Sequence, residues 1–147
     1  MPDFIIRPLA ARDEPQWRVL WTAYLHFYET DVDDAVKAET FRRNLSPDHP
    51  DQNALVAATG ETLIGLVHYI YHSHNWRLEP VCYLQDLFTA AEARGQGAGR
   101  ALIEAVYAAA DAHGAPSVYW LTQDFNAPAR HLYDRIATLT PFIKYQR

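Results

Sequence analysis

One cysteine, one methionine and only six glycines stand in a chain of 147 residues, and each scarcity excludes something. A lone cysteine rules out an internal disulfide, so the fold must rest on a packed core. No apolar run approaches the ~20 residues of a membrane-spanning helix, so no membrane partner is expected. No long basic run interrupts a formal charge of −5, which removes the electrostatic footprint of a nucleic-acid binder. The excess of acid is compatible with a cationic substrate, and equally with solubility alone. No signal-peptide pattern opens the chain, and a soluble cytoplasmic protein is the expectation. What is abundant is packing material. Four Trp and nine Tyr within 49% hydrophobic residues argue for an ordered chain, read as one domain over residues 1–147.

Half of the scarce glycines are concentrated at one place. Gly95, Gly97 and Gly99 alternate where a strand signal (Tyr83 to Thr89) gives way to a helical one (Ala101 to Ala112). Glycine there permits positive φ and a close approach of a ligand to the main chain. The helix that follows begins with unpaired N–H groups and the positive end of its dipole, which suits an anion such as phosphate. Arg94 and Arg100 flank the turn as cationic donors. The plainer alternative is a turn whose glycines serve packing alone.

Around this stretch the chain reads as alternating elements. Asp3 to Leu9 predicts a short strand. From about Asp13, Trp17, Trp21, Tyr24 and Tyr28 recur at helical spacing, with Leu20 and Leu25 beside them. That stripe is read as core, with its C-terminal end, Tyr24 to Glu29, available to line a substrate pocket. Asp33 or Asp34 is placed to cap a second helix running to about Leu45. Asn53 to Thr59 and Thr62 to Ser73 form two strand-like runs joined by Gly60-Glu61, a hairpin signal suited to a type II′ turn. His68, His72 and His74 share strand parity within the second run. With no further ligand at metal spacing, they are read as rim or half-buried histidines, and no metal is expected.

In the next strand Asp86 sits among apolar residues, with Leu84, Phe88 and Cys82 read onto its own face. Such a carboxylate must be paired or hydrogen-bonded, and suits a general base, an ammonium anchor or a structural hydrogen bond. After the glycine loop, Leu102, Ala105, Val106 and Ala109 mark the buried stripe of a helix that ends at Gly114. Ser117 to Gln123 predicts a strand. Asn126 is placed to cap a last helix, whose apolar stripe is Ala129, Leu132, Tyr133 and Ile136 and whose surface carries an Arg130–Asp134 pair. Pro141 to Tyr145 predicts a final strand. The order gives an α/β fold with a mixed sheet and helices on its faces. The glycine loop lacks the Gly-Lys-Ser/Thr of a P-loop, and its G-x-G-x-G spacing departs from a dinucleotide-binding fingerprint.

Two segments then carry a resemblance. Arg94-Gly95-Gln96-Gly97-Ala98-Gly99 is similar to the Arg/Gln-x-x-Gly-x-Gly/Ala signature of the GNAT family of N-acetyltransferases. Asn126-Ala127-Pro128-Ala129-Arg130-His131-Leu132-Tyr133 resembles its N-x-x-A-x-x-L-Y segment. The aromatic first helix and the W-L-T-Q…L-Y-D-R tail are similar to the Hpa-type branch, which contains yeast histone and polyamine acetyltransferases.

The resemblance implies a mostly antiparallel central sheet, about four helices and a splayed central strand pair. It implies acetyl-CoA as cofactor. Main-chain groups of Leu87, Phe88 and Thr89 would pair with the pantetheine arm. Arg94, Gly95, Gln96, Gly97, Ala98, Gly99 and Arg100 would hold the pyrophosphate, and Asn126 would also contact the cofactor. Tyr133 would protonate the departing thiolate. A primary amine (polyamine, lysine side chain or other small amine) would attack directly in a ternary complex. Tyr24, Tyr28, Glu29 and Asp86 would face that acceptor, with Asp86 or Glu29 as base, and homodimers are common in the family. A non-catalytic acyl-CoA-binding module on the same fold is the alternative. Two departures stand out: Thr89 lies where the family often has Pro, and no Gly-Phe follows Tyr133.

Overall fold

The computed structural model describes residues 3–147. β1 (Ile5–Pro8) leads through a helical turn (Ala11–Asp13) into α1 (Glu14–Phe27) and α2 (Asp34–Leu45). β2 (Gln52–Thr59), β3 (Thr62–His72) and β4 (Val81–Thr89) follow, then a second turn (Ala91–Ala93), α3 (Ala98–His113), β5 (Val118–Tyr119) and α4 (Ala127–Ile136). The five strands lie in the sheet in chain order. β1 to β4 are antiparallel neighbours, and β5 joins β4 in parallel. The expected mixed, mostly antiparallel sheet with four helices is what forms. The Gly60-Glu61 hairpin is present, with Gly60 at φ +60°.

The side chains of β3 divide the core between its two faces. His68 meets the Trp17 and Trp21 rings of α1, and Trp17 meets Phe41 of α2, so α1 and α2 share one face. On the other face Tyr71 stacks on His113 of α3 at 3.8 Å. Trp17, Leu66, Val67, Leu102 and Ile103 are fully buried, so the aromatic stripe of α1 is core at its N-terminal end. Toward its C-terminal end Tyr24 and Tyr28 are half-buried, 5.1 Å apart. β1 is tied to the start of α1 by Arg7, whose guanidinium grips Asp13 with two bonds of 2.7 and 2.8 Å. The same carboxylate accepts the Ala10 N–H.

Several expectations are corrected. β5 covers two residues of the expected Ser117 to Gln123, because β4 offers it partners only at Cys82 and Tyr83. A strand persists only where its backbone groups find a neighbour. For the same reason Pro141 to Tyr145 is not a strand: Phe142, Ile143 and Tyr145 are exposed and pair with nothing among the described residues. In α3, Ile103 and Ala110 take buried places given to Ala105 and Ala109, which are half-buried. Arg130 donates to the Asp124 carbonyl at 2.7 Å instead of pairing with Asp134.

The face assigned to Asp86 is also corrected. Tyr69 pairs with Leu84 and His68 with Asp86, so Gln85 is an extra residue in β4. This bulge reverses the alternation, because two residues of β4 oppose one step of β3. Asp86 therefore shares the α1 face with Phe88, whereas Leu84 and Cys82 face α3. The buried Cys82 thiol is pushed up to about 11 by burial, which suits a small core residue.

Candidate active site

Pairing between β4 and β5 ends at Tyr83 and Tyr119, whose rings stack at 4.9 Å. Beyond that pair the two chains separate. β4 continues to Thr89 with no strand on its outer edge among the described residues, while Trp120 turns to the Tyr133 ring of α4 at 5.3 Å. Leu87, Phe88 and Thr89 are half-buried along this open edge. Backbone N–H and C=O groups without a partner strand are competent to pair with an extended ligand.

The glycine loop lies at the end of the same edge. Arg94 donates from Nε to the Thr89 carbonyl at 3.3 Å, with its guanidinium 5.5 Å from the centre of the Phe88 ring. Gly95 and Gly97 have φ of +83° and +86°, and nothing lies within 4 Å of where their Cβ atoms would be. Gly97 caps α3, whose first intrahelical bond runs from Ala101 N–H to the Gly97 carbonyl. The N–H groups of Ala98, Gly99 and Arg100 precede that bond and remain available, as an anion site requires. Gln96, Gly97 and Arg100 border a cleft of about 590 Å³ with Phe4. Arg100 itself is engaged by Glu104 at 2.7 Å on the exposed side of α3. Asn126 caps α4 as expected, its side chain accepting the Ala129 N–H at 3.4 Å.

Tyr133 of α4 packs on Trp120, and Tyr28, which follows the end of α1, is its neighbour. Burial, and secondarily the neighbouring Tyr28, pushes the Tyr133 phenol up to about 12. The Tyr24 hydroxyl lies 3.5 Å from the Gln85 carbonyl and is held protonated well above its ordinary range by burial and by the Asp86 charge. Burial and the same charge raise Tyr28, while Tyr83 is raised by burial, then by Tyr119 and Asp86. Three phenols thus surround one carboxylate.

Asp86 is itself nearly closed off from solvent. Its Oδ2 accepts the Trp21 indole N–H at 3.2 Å and contacts His68 Nδ1 at 2.7 Å, while His68 Nε2 faces the Trp17 indole N–H at 3.0 Å. His68, Trp17 and Trp21 were not singled out as site residues from sequence. A signal for them exists: two tryptophans one helical turn apart on a buried stripe each need an acceptor, and His68 and Asp86 are the polar residues inside apolar strands. Glu29 is exposed, at φ +57°, and takes no part in this network. The three histidines do not converge. His72 bonds the Tyr119 hydroxyl at 2.8 Å, and His74 lies beyond the strand. Among the described residues no group of three or more potential metal ligands forms. A larger cleft of about 1220 Å³ borders Tyr119, Trp120, Tyr133 and the C-terminal segment, but includes neither Asp86 nor the glycine loop.

An open strand edge, a helix start with unpaired N–H groups and a half-buried phenol on α4 are the parts an acyl-transfer site requires. The chain belongs to the acetyltransferase (GNAT) family, whose profile matches residues 15–137, and it is accordingly an acyltransferase. It falls in the Hpa-type branch. The D-amino-acid N-acetyltransferase HPA3 of Saccharomyces cerevisiae (strain ATCC 204508 / S288c) is 37% identical over 145 residues, 97% of this chain and 89% of the relative. Two solved structures share the fold. One is the aminoglycoside N-acetyltransferase AAC(6')-Iy in complex with CoA, with TM-score 0.83 and 18% identity, covering 98% of this chain and 93% of that one. The other is the ribosomal-protein-alanine N-acetyltransferase from Brucella melitensis biovar Abortus 2308, with TM-score 0.79 and 19% identity, covering 98% of each. No helix among the described residues is long and apolar enough to cross a membrane.

Proposed function

We propose that the protein transfers the acetyl group of acetyl-CoA to the primary amine of a small acceptor, by direct attack in a ternary complex. The observation that carries this reading is the separation of β4 from β5 past Tyr83 and Tyr119, with the glycine loop at one end and Tyr133 across the gap. Acetyl-CoA supplies an activated thioester; the chain binds it, orients it and manages protons. Main-chain groups of Leu87, Phe88 and Thr89 pair with the pantetheine arm. Gly95 to Arg100 cradle the pyrophosphate, which the positive φ values and the open space at Gly95 and Gly97 accommodate. Arg94 and Asn126 complete the cofactor contacts.

The Leu87 N–H faces the acetyl oxygen as negative charge develops there. Tyr133 keeps its proton throughout the neutral range and donates a hydrogen bond to the departing sulfur. Its phenol near 12 lies ~3 units above an ordinary thiol, so the bond, rather than complete proton transfer, is its contribution to the barrier. Asp86, ringed by Tyr24, Tyr28 and Tyr83, receives the acceptor's ammonium and helps it lose a proton. Glu29, exposed and outside the network, is the weaker choice of base.

The acceptor we favour is a free amino acid of D configuration, because the yeast relative is named for that substrate. The exposed apolar C-terminal segment supports assembly as a homodimer. The test is calorimetric titration with acetyl-CoA, then thiol release with D- and L-amino acids, polyamines, a lysine peptide and aminoglycosides. Binding together with turnover of D-amino acids is expected. Binding with no turnover of any amine would instead favour a non-catalytic module.

A further inference from the structure

Acetyl transfer as described above makes no use of the two indoles of α1 or of His68. An indole N–H can only donate, and an imidazole nitrogen accepts only when it carries no proton. Trp17 Nε1 lies 3.0 Å from His68 Nε2, and neither residue is more than 4% exposed. The contact therefore assigns His68 as a neutral imidazole with its single proton on Nδ1. That nitrogen stands 2.7 Å from Asp86 Oδ2, to which Trp21 donates as well. Both N–H donors fall on Oδ2 and neither takes Oδ1; the Tyr24 hydroxyl is the further hydrogen-bonding neighbour of the carboxylate, a contact the incoming ammonium would share or displace.

The protonation state of His68 sets the charge of the pair. An imidazolium beside a carboxylate sums to zero, whereas a neutral imidazole leaves the pair at −1. Only the second attracts an ammonium ion strongly inside a poorly solvated pocket. The titratable groups facing the pair are Tyr24 and Tyr28 of α1 and Tyr83 of β4. Among the described residues no lysine or arginine pairs with Asp86.

Building on the acetyltransferase reading, we propose that Trp17 is a charge lock. Its indole N–H keeps His68 neutral, so that the His68–Asp86 pair stays at net −1 and Asp86 Oδ1 is held for the ammonium form of the acceptor. Asp86 meets the acceptor; Trp17, Trp21 and His68 are positioning residues. The lock makes amine recognition insensitive to pH across the range where an ordinary histidine changes charge.

Trp17→Phe keeps an aromatic ring and removes the N–H. Nitrogen-15 spectra of the histidine rings, with His68 assigned by its loss in His68→Asn, follow the proton directly and need no turnover. In the native enzyme His68 is expected to remain the Nδ1–H neutral form from pH 8 to pH 5.5, and in Trp17→Phe to gain a second proton within that range. Kinetically, the KM for the amine in Trp17→Phe should rise about tenfold relative to the native enzyme as pH falls from 8 to 5.5. The Kd for acetyl-CoA should not change. The double variant Trp17→Phe/His68→Asn, whose amide can still donate to Asp86 but cannot be charged, should restore the native pH profile.

A native His68 that becomes imidazolium between pH 8 and pH 5.5 overturns the lock, even if Trp17→Phe fails to fold. An amine KM in Trp17→Phe that tracks the native value at every pH does the same. Failure of the native enzyme to acetylate any amine would remove the acceptor role of Asp86 and the acetyltransferase reading together, while the spectra would still decide the state of His68.

Discussion

Leu102 of α3 occupies the space left by the missing side chain of Gly65 in β3. A Cβ built at Gly65 would lie 3.2 Å from Leu102 Cδ1 and 3.1 Å from the Phe88 carbonyl oxygen. The close approach seats α3 on the sheet and so places its N-terminus, with the glycine loop, at the end of β4.

Gly65→Ala should therefore act on stability and on the cofactor edge together. Overpacking at this point is expected to cost about 2 kcal/mol, a fall in melting temperature of roughly 4–8 °C. Because the Phe88 carbonyl points to β3, its displacement should shift the neighbouring groups of Leu87 and Thr89 on the open edge, and acetyl-CoA affinity should weaken. Thermal unfolding and calorimetry on one preparation check both; lost stability with native affinity would show that the open edge of β4 is insensitive to the seating of α3.

Gly97→Ala meets no steric neighbour but must hold an L residue at φ +86°. The strain should cost about 1–2 kcal/mol, and the backbone donors of the loop should be misplaced more than the fold is weakened. Acetyl-CoA affinity is expected to fall at least tenfold in calorimetry. A native Kd would move the pyrophosphate site away from this loop.

Tyr133→Phe should lower kcat about 10²-fold while leaving the Kd for acetyl-CoA within twofold of native. The phenol at about 12 stays protonated through pH 10, so it introduces no falling limb in kcat between pH 7 and pH 10. A native limb centred near pH 9 that disappears in Tyr133→Phe would contradict the burial-raised phenol.

Asp13 carries a carboxyl held below its ordinary value, first by the hydrogen bonds from Arg7. A depressed folded-state value means stability that is present above the unfolded-state value of 3.8 and is lost as pH falls through the lower, folded one. Asp13→Asn should remove about 3 kcal/mol at pH 7 and flatten the acid limb of the stability curve below about pH 4. Urea unfolding at pH 3 and pH 7 measures both; an acid limb of native steepness in the variant would place its origin elsewhere.

The elements that announce themselves in the sequence are those governed by local chemistry. The stripe from Trp17 to Tyr28, the Gly60-Glu61 hairpin, the Gly97 and Gly114 caps and the Asn126 cap each depend on residues within a few positions of one another. Strand extent is different. Val118 to Gln123 has strong strand character throughout, yet only Val118 and Tyr119 have a neighbour, and that neighbour belongs to a segment 36 residues earlier. Asp86 was visible as a buried carboxylate, but its face was misread because a bulge leaves no mark in apolar alternation. The His68 network was hidden for a related reason. Its four members come from α1, β3 and β4, and only packing brings them together.

Gln85 works as a phase shift in the middle of one strand. Upstream of it, the residues of β4 are read in step with α3; downstream, the step has changed and Asp86 and Phe88 answer to α1. The face on which Asp86 lies is therefore specified by residue count as much as by residue identity. Deleting the single position 85 would exchange the inward and outward sets of Asp86 to Thr89 while leaving every motif residue in the chain intact.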